Sequence, residues 1–299
     1  MTERDGQSST SSSSTDELNC ILTILREDFP LSLPIYHCLQ NAVNGSWGTI
    51  SDVKTDVSTS VENLVVLCHV PSLVPTVPGQ YETFIYSNAV EPDILRTFLR
   101  QPGHINWQAP SHCFLLTFAS RKQDFLPEVL TECATQRGYQ LQQEGRCRVC
   151  MYSESNLTKS AKSKLPKGLK VGQLSPDHVE YVTGGWKFST PFTVSTLRRN
   201  IEVFPSAAIF NEVTGQPVSW AMVKAYGGIG LEHTLPEFKK KRVEKIVLRE
   251  LIDQIVRNDD TPFVLIEEGN DSSYNAYKKL GFTEQRNCVF MWLKFTKRS

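Results

Sequence analysis

Apolar side chains along this chain recur at two periods. Leu18, Ile21, Leu22 and Leu25 return at three- and four-residue spacing, the stripe of a helix that Asp16 would cap and Pro30 would stop. Ahead of it, residues 1–15 (MTERDGQSSTSSSST) carry no apolar side chain after Met1, so burial cannot offset the entropy of ordering them and they read as a disordered tail. Strand-like runs follow at residues 64–69, 81–86, 113–118 and 145–152, and helical spacing covers 92–99 and 125–134. Residues 16–150 therefore read as one mixed α and β domain.

From 153 to 167 the composition turns to Ser, Lys, Asn and Pro (SESNLTKSAKSKLPK), too polar for a core, and a linker over 151–167 is expected. A second domain, 168–299, opens with a strand at 169–174. Ser175 with Pro176 then caps a helix, and a further helix lies around 194–203. Runs at 207–210, 218–226 and 229–235 predict an antiparallel meander, its first turn at Thr214 and Gly215. The clearest helix spans 239–257, with Val243, Ile246, Val247, Leu251, Ile255 and Val256 on one stripe. A strand at 263–267, a helix at 272–280 and a strand at 288–295 complete the order β-α-α-β-β-β-α-β-α-β. The expected fold class is α/β (α+β), a mixed, mostly antiparallel sheet flanked by helices.

Composition narrows the function classes. Lys plus Arg and Asp plus Glu balance at 32 each, so no overall field favours nucleic acid or an anionic membrane, and an anion site must come from a local cluster. The eight cysteines are scattered through apolar runs, as buried free thiols are, and Cys147 and Cys150 form a C-x-x-C without a second metal-binding pair. No metal site is expected. No apolar run approaches the roughly 20 residues of a membrane helix, and the N-terminus lacks the order of a secretory signal.

One junction concentrates charge. Leu235-Pro236-Glu237-Phe238 leads into Lys239-Lys240-Lys241-Arg242-Val243-Glu244 at the start of the long helix, where backbone amides and the helix dipole hold anions. Four successive cations there oppose the dipole and ask for a bound anion.

Thr234-Leu235-Pro236-Glu237-Phe238 resembles the T-L-P-E-[YF] of glycine N-acyltransferases, and Pro217-Val218-Ser219-Trp220 resembles the strand that precedes it. Ser32-Leu33-Pro34 with Tyr36, Ile105-Asn106-Trp107, Trp186-Lys187-Phe188 and Phe204-Pro205-Ser206 extend the resemblance over nearly the whole chain after the tail. It implies a C-terminal GNAT domain over 168–299 and a diverged GNAT-like domain over 16–150. It further implies acyl-CoA as co-substrate, no permanently bound cofactor, and a small amino acid as acyl acceptor. The pyrophosphate loop of the family, [QR]-x-x-G-x-[GA], has Lys239, Arg242 and Glu244 at its defined places here, so both glycines are replaced. Arg242 could fill the phosphate space or swing outward and pair with phosphate oxygens.

Asn270-x-x-Ser273-x-x-x-Tyr277-x-Lys279-Leu280-Gly281-Phe282 resembles the GNAT motif that lines pantetheine and thioester, which implies that Tyr277 protonates the departing thiolate. The family's base, a glutamate six residues before the Thr, is here Gly228. In a regular strand Glu232 shares the parity of Gly228, whereas a bulge would bring His233 forward. Backbone amides around Leu235 are expected to polarise the thioester carbonyl. An N-acyltransferase of amino acids, a CoA-binding pseudoenzyme and a transferase to a polyamine or protein lysine all stand open at this level. Location is open between mitochondria, by resemblance, and cytosol, since Glu3 and Asp5 are unlike a transit peptide.

Overall fold

The computed structural model describes residues 15–56, 63–105, 107, 113–121, 125–156 and 164–298, with backbone alone for 113–121 and no side chain for Lys240. Residues 1–14, Asn106 and residues 157–163 of the expected linker lie outside the described residues. In the first half α1 (Thr15–Glu27) buries Leu18, Ile21 and Leu25, and it already includes Thr15. Next come α2 (Leu33–Val43), β1 (Val53–Asp56), β2 (Val65–Pro71), β3 (Tyr81–Ser87), α3 (Pro92–Arg100), β4 (Cys113–Arg121), α4 (Leu126–Thr135) and β5 (Tyr139–Tyr152). Sequence periodicity passes over α2 for a physical reason. Leu33, Pro34, Ile35, His37, Cys38, Leu39 and Ala42 are all buried, so the helix has apolar surface on most of its circumference and no one-sided stripe.

The second half follows the expected order: β6 (Leu169–Gly172), α5 (Val179–Gly185), α6 (Thr193–Val203), β7 (Ser206–Asn211), β8 (Pro217–Val223), β9 (Ile229–Thr234), α7 (Val243–Arg257), β10 (Phe263–Glu267), α8 (Asp271–Lys278) and β11 (Phe282–Lys297). Several boundaries move: β6, β8 and α8 end at Gly172, Val223 and Lys278, short of the expected 174, 226 and 280. A 3₁₀ turn, not the α-helix, occupies Pro236–Lys241, so α7 starts at Val243 rather than at 239. Ser175 and Pro176 open a 3₁₀ turn, Pro176–His178, ahead of α5. The last strand begins at Phe282, six residues earlier than its apolar run, because its first part pairs through the backbone with exposed side chains.

The eleven strands among the described residues form one sheet, ordered β1-β2-β3-β4-β11-β5-β10-β9-β8-β7-β6. Each half contains the same unit: a parallel pair (β3 with β4, β9 with β10), a helix (α4, α8) and a long strand (β5, β11). The long strands are exchanged. β5 lies antiparallel against β10 of the second half, and β11 against β4 of the first, while β5 and β11 pair with each other from Phe282↔Tyr152 to Lys297↔Tyr139.

Side-chain alternation sorts four apolar clusters onto two faces. Cys147 and Val149 pack with α1 and α2, whereas Cys150 packs with α7 and α8. On β8, Trp220 and Met222 pack with α5 and α6, and Val218, Ala221 and Val223 with α7. Helices α1, α2, α5 and α6 thus cover one face, and α3, α4, α7 and α8 the other. Cys147 and Cys150 point to opposite faces as free thiols, and burial pushes their pKa values up to about 12 and about 11.

Polar contacts tie the halves together. Asn41 Nδ2 donates to the Ala225 carbonyl at 2.7 Å, and Thr190 Oγ1 to the Pro75 carbonyl at 2.7 Å. Buried His37 lies 3.6 Å from Asp260 and stacks on Phe263. Burial lowers the His37 pKa, against the pull of Asp260, and burial also lowers that of His69.

Two outcomes are expected. A Cβ on Gly145 of β5 would lie 1.9 Å from Cε2 of Trp292 on β11, so Gly145→Ala should lower the unfolding free energy by roughly 1–3 kcal/mol, read by urea denaturation. Because the folded state holds His37 and His69 below their unfolded pKa of 6.5, the unfolded chain binds more protons just below that value. Stability should therefore rise with pH through about 6.5, and His37→Gln should reduce that slope in unfolding midpoints measured between pH 5.5 and 7.5.

Candidate active site

Strands β9 and β10 meet at a single parallel bridge, Ile229↔Val264, and then diverge. β9 stays with β8 through Trp220↔His233 and Ser219↔Thr234, while β10 stays with β5 through Glu267↔Cys147. A cleft opens between them, with α8 on one side.

The last residues of β9 are aimed by a bulge. Leu231 and Glu232 together oppose Ala221, between the pairs Met222↔Gly230 and Trp220↔His233, and Leu231 sits at φ +55°. Ile229 faces α7. Leu231 packs with α5 and α6, and the extra residue returns Glu232 to the face of Ile229.

There Glu232 meets Tyr277, the inward residue of α8, whose hydroxyl donates a hydrogen bond to Glu232 Oε1. The Tyr277 ring is 2% exposed and meets Phe282 edge-on at 4.9 Å. Glu232 is exposed along its side chain, with its carboxyl held at the buried Tyr277 hydroxyl. Burial raises its pKa, against the Tyr277 hydrogen bond and the positive charge of Lys224. Burial likewise raises the Tyr277 pKa well above the phenol range, and Glu232 adds to the effect.

His233 lies on the opposite face. Its ring is 5.0 Å from that of Trp220, and Gly185 has no Cβ because one would lie 2.9 Å from His233 Cγ. Burial lowers its pKa, helped by Lys239. The expectation that a bulge would bring His233 forward is therefore corrected. Its reference point, Gly228, lies before the strand, in a turn closed by the Lys224 amide on the Gly228 carbonyl at 3.0 Å. A Cβ on Gly228 would approach Tyr226 Cε2 to 2.5 Å, so Tyr226 fills the space a glutamate would need.

Lys224 crosses β9 where Gly230 leaves room: a Cβ there would be 2.6 Å from Lys224 Cε and 3.1 Å from Nζ. Its ammonium is 5.5 Å from the Tyr226 ring centre. Burial works against its charge, but the Tyr226 hydroxyl and the carboxylate of Glu82 more than offset this and raise its pKa.

The Leu235 amide donates to the Val218 carbonyl at 2.9 Å, so it is spent on β8 and is not the free donor expected from the sequence. Alternation directs the Thr234 amide the other way, towards the cleft. Leu235 and Phe238 pack partly buried against the α7 core, and Lys241 Nζ sits 4.3 Å from the Phe238 ring centre. Arg242 adopts φ +57°, ψ +24° between the 3₁₀ turn and α7. This is the left-handed conformation that glycine takes most easily, at a place where the sequence comparison expects glycine. Glu237, Lys239, Lys241, Arg242 and Glu244 are exposed, and Val243 is buried. Asn270 caps α8: its Oδ1 accepts the Ser273 amide at 3.2 Å. Arg148, absent from the sequence-derived candidates, reaches from β5 to Asp271 at 3.0 Å and lies 4.9 Å from the Tyr274 ring centre. No local motif marks it, because strand exchange alone places it beside α8.

With this geometry in view, residues 207–291 match the family model described as FR47-like protein. A crystal structure of a Drosophila protein superposes with a TM-score of 0.76 at 18% identity, over 96% of this chain and 98% of that one. A tandem GNAT protein from the clavulanic acid biosynthesis pathway gives 0.56 at 11% identity, over 95% and 96%. A GCN5-related N-acetyltransferase from Kribbella flavida gives 0.52 at 12%, over 88% and 95%. No curated protein matches the chain in sequence. The chain has the GNAT fold in tandem form, a mixed α/β architecture with a mostly antiparallel sheet flanked by helices.

Replacing Arg242 by glycine removes a side chain from a left-handed backbone position without disturbing a described ion pair. Arg242→Gly should raise the unfolding free energy by roughly 0.5–1 kcal/mol, measured by thermal or urea unfolding.

Proposed function

We propose that this chain is an acyl-CoA-dependent N-acyltransferase that acylates the amino group of glycine or another small amino acid, with Glu232 as base and Tyr277 as acid. The observation that carries the reading is the Glu232–Tyr277 hydrogen bond at the point where β9 and β10 part. The FR47-like match over 207–291 and the tandem GNAT fold support the acyl-CoA half of it.

The chemistry balances through that pair. An amino acid arrives as an ammonium and must lose a proton to become a nucleophile, and a carboxylate made more basic by burial suits that task. The neutral amine attacks the thioester carbon, the C–N bond forms and the C–S bond breaks. The departing thiolate takes the Tyr277 proton. Glu232 has by then released the ammonium proton to solvent; it takes the second N–H proton as the intermediate collapses and returns that one to the phenolate across their shared hydrogen bond, so one proton in all leaves to solvent. The Thr234 amide, aimed at the cleft, is suited to stabilise the oxyanion formed on the way. Lys224, whose ammonium lies over Gly230 on the other face of β9, adds a positive charge that the Glu232 carboxylate senses.

A second reading, a CoA-binding module without turnover, draws on Gly228, where Tyr226 closes the place of the family's glutamate. Calorimetric titration with acetyl-CoA and benzoyl-CoA, followed by thiol release over a panel of amino acids, separates the two. Under the first, Glu232→Gln should lower kcat about 10²–10⁴-fold. Its elevated pKa should also appear as a rate that climbs with pH, since the base works only when deprotonated, and the variant should lose that limb. Thiol release at an unchanged rate in Glu232→Gln would remove the residue from the mechanism.

A further inference from the structure

Helix α7 turns Val243, Val247, Leu248 and Leu251 into the core. Arg242, Lys245 and Arg249 follow one another at three- and four-residue spacing on another stripe, so their side chains neighbour each other. Lys279, just beyond α8, joins them: burial lowers the Lys245 pKa, and Arg249, Arg242 and Lys279 lower it further. Arg249 Nε is buried without a hydrogen-bond partner, and neither Arg242 nor Arg249 forms an ion pair among the described residues. The carboxylate nearest in sequence, Glu250, is engaged by Arg257 at 3.4 Å.

We propose that Lys245, Arg249 and Lys279 form a phosphate site for the 3′-phosphate of the CoA nucleotide. The inference rests on the acyl-CoA reading and is independent of turnover. A pyrophosphate at the start of α7 lies beside Arg242. The 3′-phosphate is one ribose away, a span comparable with one helical turn of about 5.4 Å. Lys245 stands about 4.5 Å and Arg249 about 10.5 Å along the axis from Arg242, so a group bound between them is one to two turns from the pyrophosphate. A phosphate dianion there removes the repulsion among the cations and supplies the acceptor that the Arg249 Nε–H lacks.

The test compares CoA with 3′-dephospho-CoA by calorimetry on the full chain, for the wild type and for Lys245→Gln/Lys279→Gln, with Arg249→Gln as a second variant. CoA is expected to bind the wild type roughly tenfold more tightly than 3′-dephospho-CoA. Both variants should bring that ratio to within about twofold while leaving 3′-dephospho-CoA affinity nearly unchanged. Equal binding of the two ligands by the wild type, or a ratio that survives in the variants, overturns the site and leaves the acyl-CoA reading standing. Failure of the wild type to bind either ligand overturns both.

Discussion

The exchange of β5 and β11 is the constraint on which the rest of the molecule depends. In a sheet, a strand that loses one neighbour must keep the other or expose its backbone polar groups. β10 touches β9 through one bridge, and its remaining pairing, five residues from Phe263↔Met151 to Glu267↔Cys147, comes from a strand of the other half. Because β5 secures β10, β9 can depart from it and leave a cleft. The second half alone, from β6 onward, carries both Glu232 and Tyr277. It has no strand of its own in the place that β5 fills.

The same exchange builds the walls around the cleft. β5 brings Arg148 to Asp271 and Tyr274, fixing the start of α8 and so the position of Tyr277. From the first half α2 packs His37 against Phe263 and Asn41 against Ala225, next to the turn in which Tyr226 closes off Gly228. A side chain at 228 would collide with Tyr226 as it is placed here. The bulge at Leu231 and Glu232 sets a carboxylate four residues further along, where burial makes it more basic and the Tyr277 hydrogen bond and Lys224 temper the effect.

The start of α7 follows a related logic. The left-handed turn that a glycine would make at little strain is kept by Arg242, and charge replaces conformational freedom. Exposed Lys239, Lys241 and Arg242 crowd one helix end, and Lys245, Arg249 and Lys279 add further positive charge beside it. In an electrically balanced chain, this accumulation is local.

Much of the fold was legible from the chain because it depends on local period. The stripe of α7, the meander of β7, β8 and β9, and the element order of the second half follow from side-chain spacing and turn residues, which act between near neighbours. Tyr277 was nameable as a candidate from a short motif, and Glu232 from its strand parity with Gly228. Which strand lies beside β10 was not legible, since alternation says which side chains share a face and nothing about the partner. The choice between Glu232 and His233 turned on one extra residue against Ala221, the spending of the Leu235 amide on Val218 turned on pairing, and α2, buried on most sides, had no stripe to announce it. Local periodicity thus determined the elements and the candidate residues. Long-range pairing, which depends on contacts between distant segments, decided which of those residues meet.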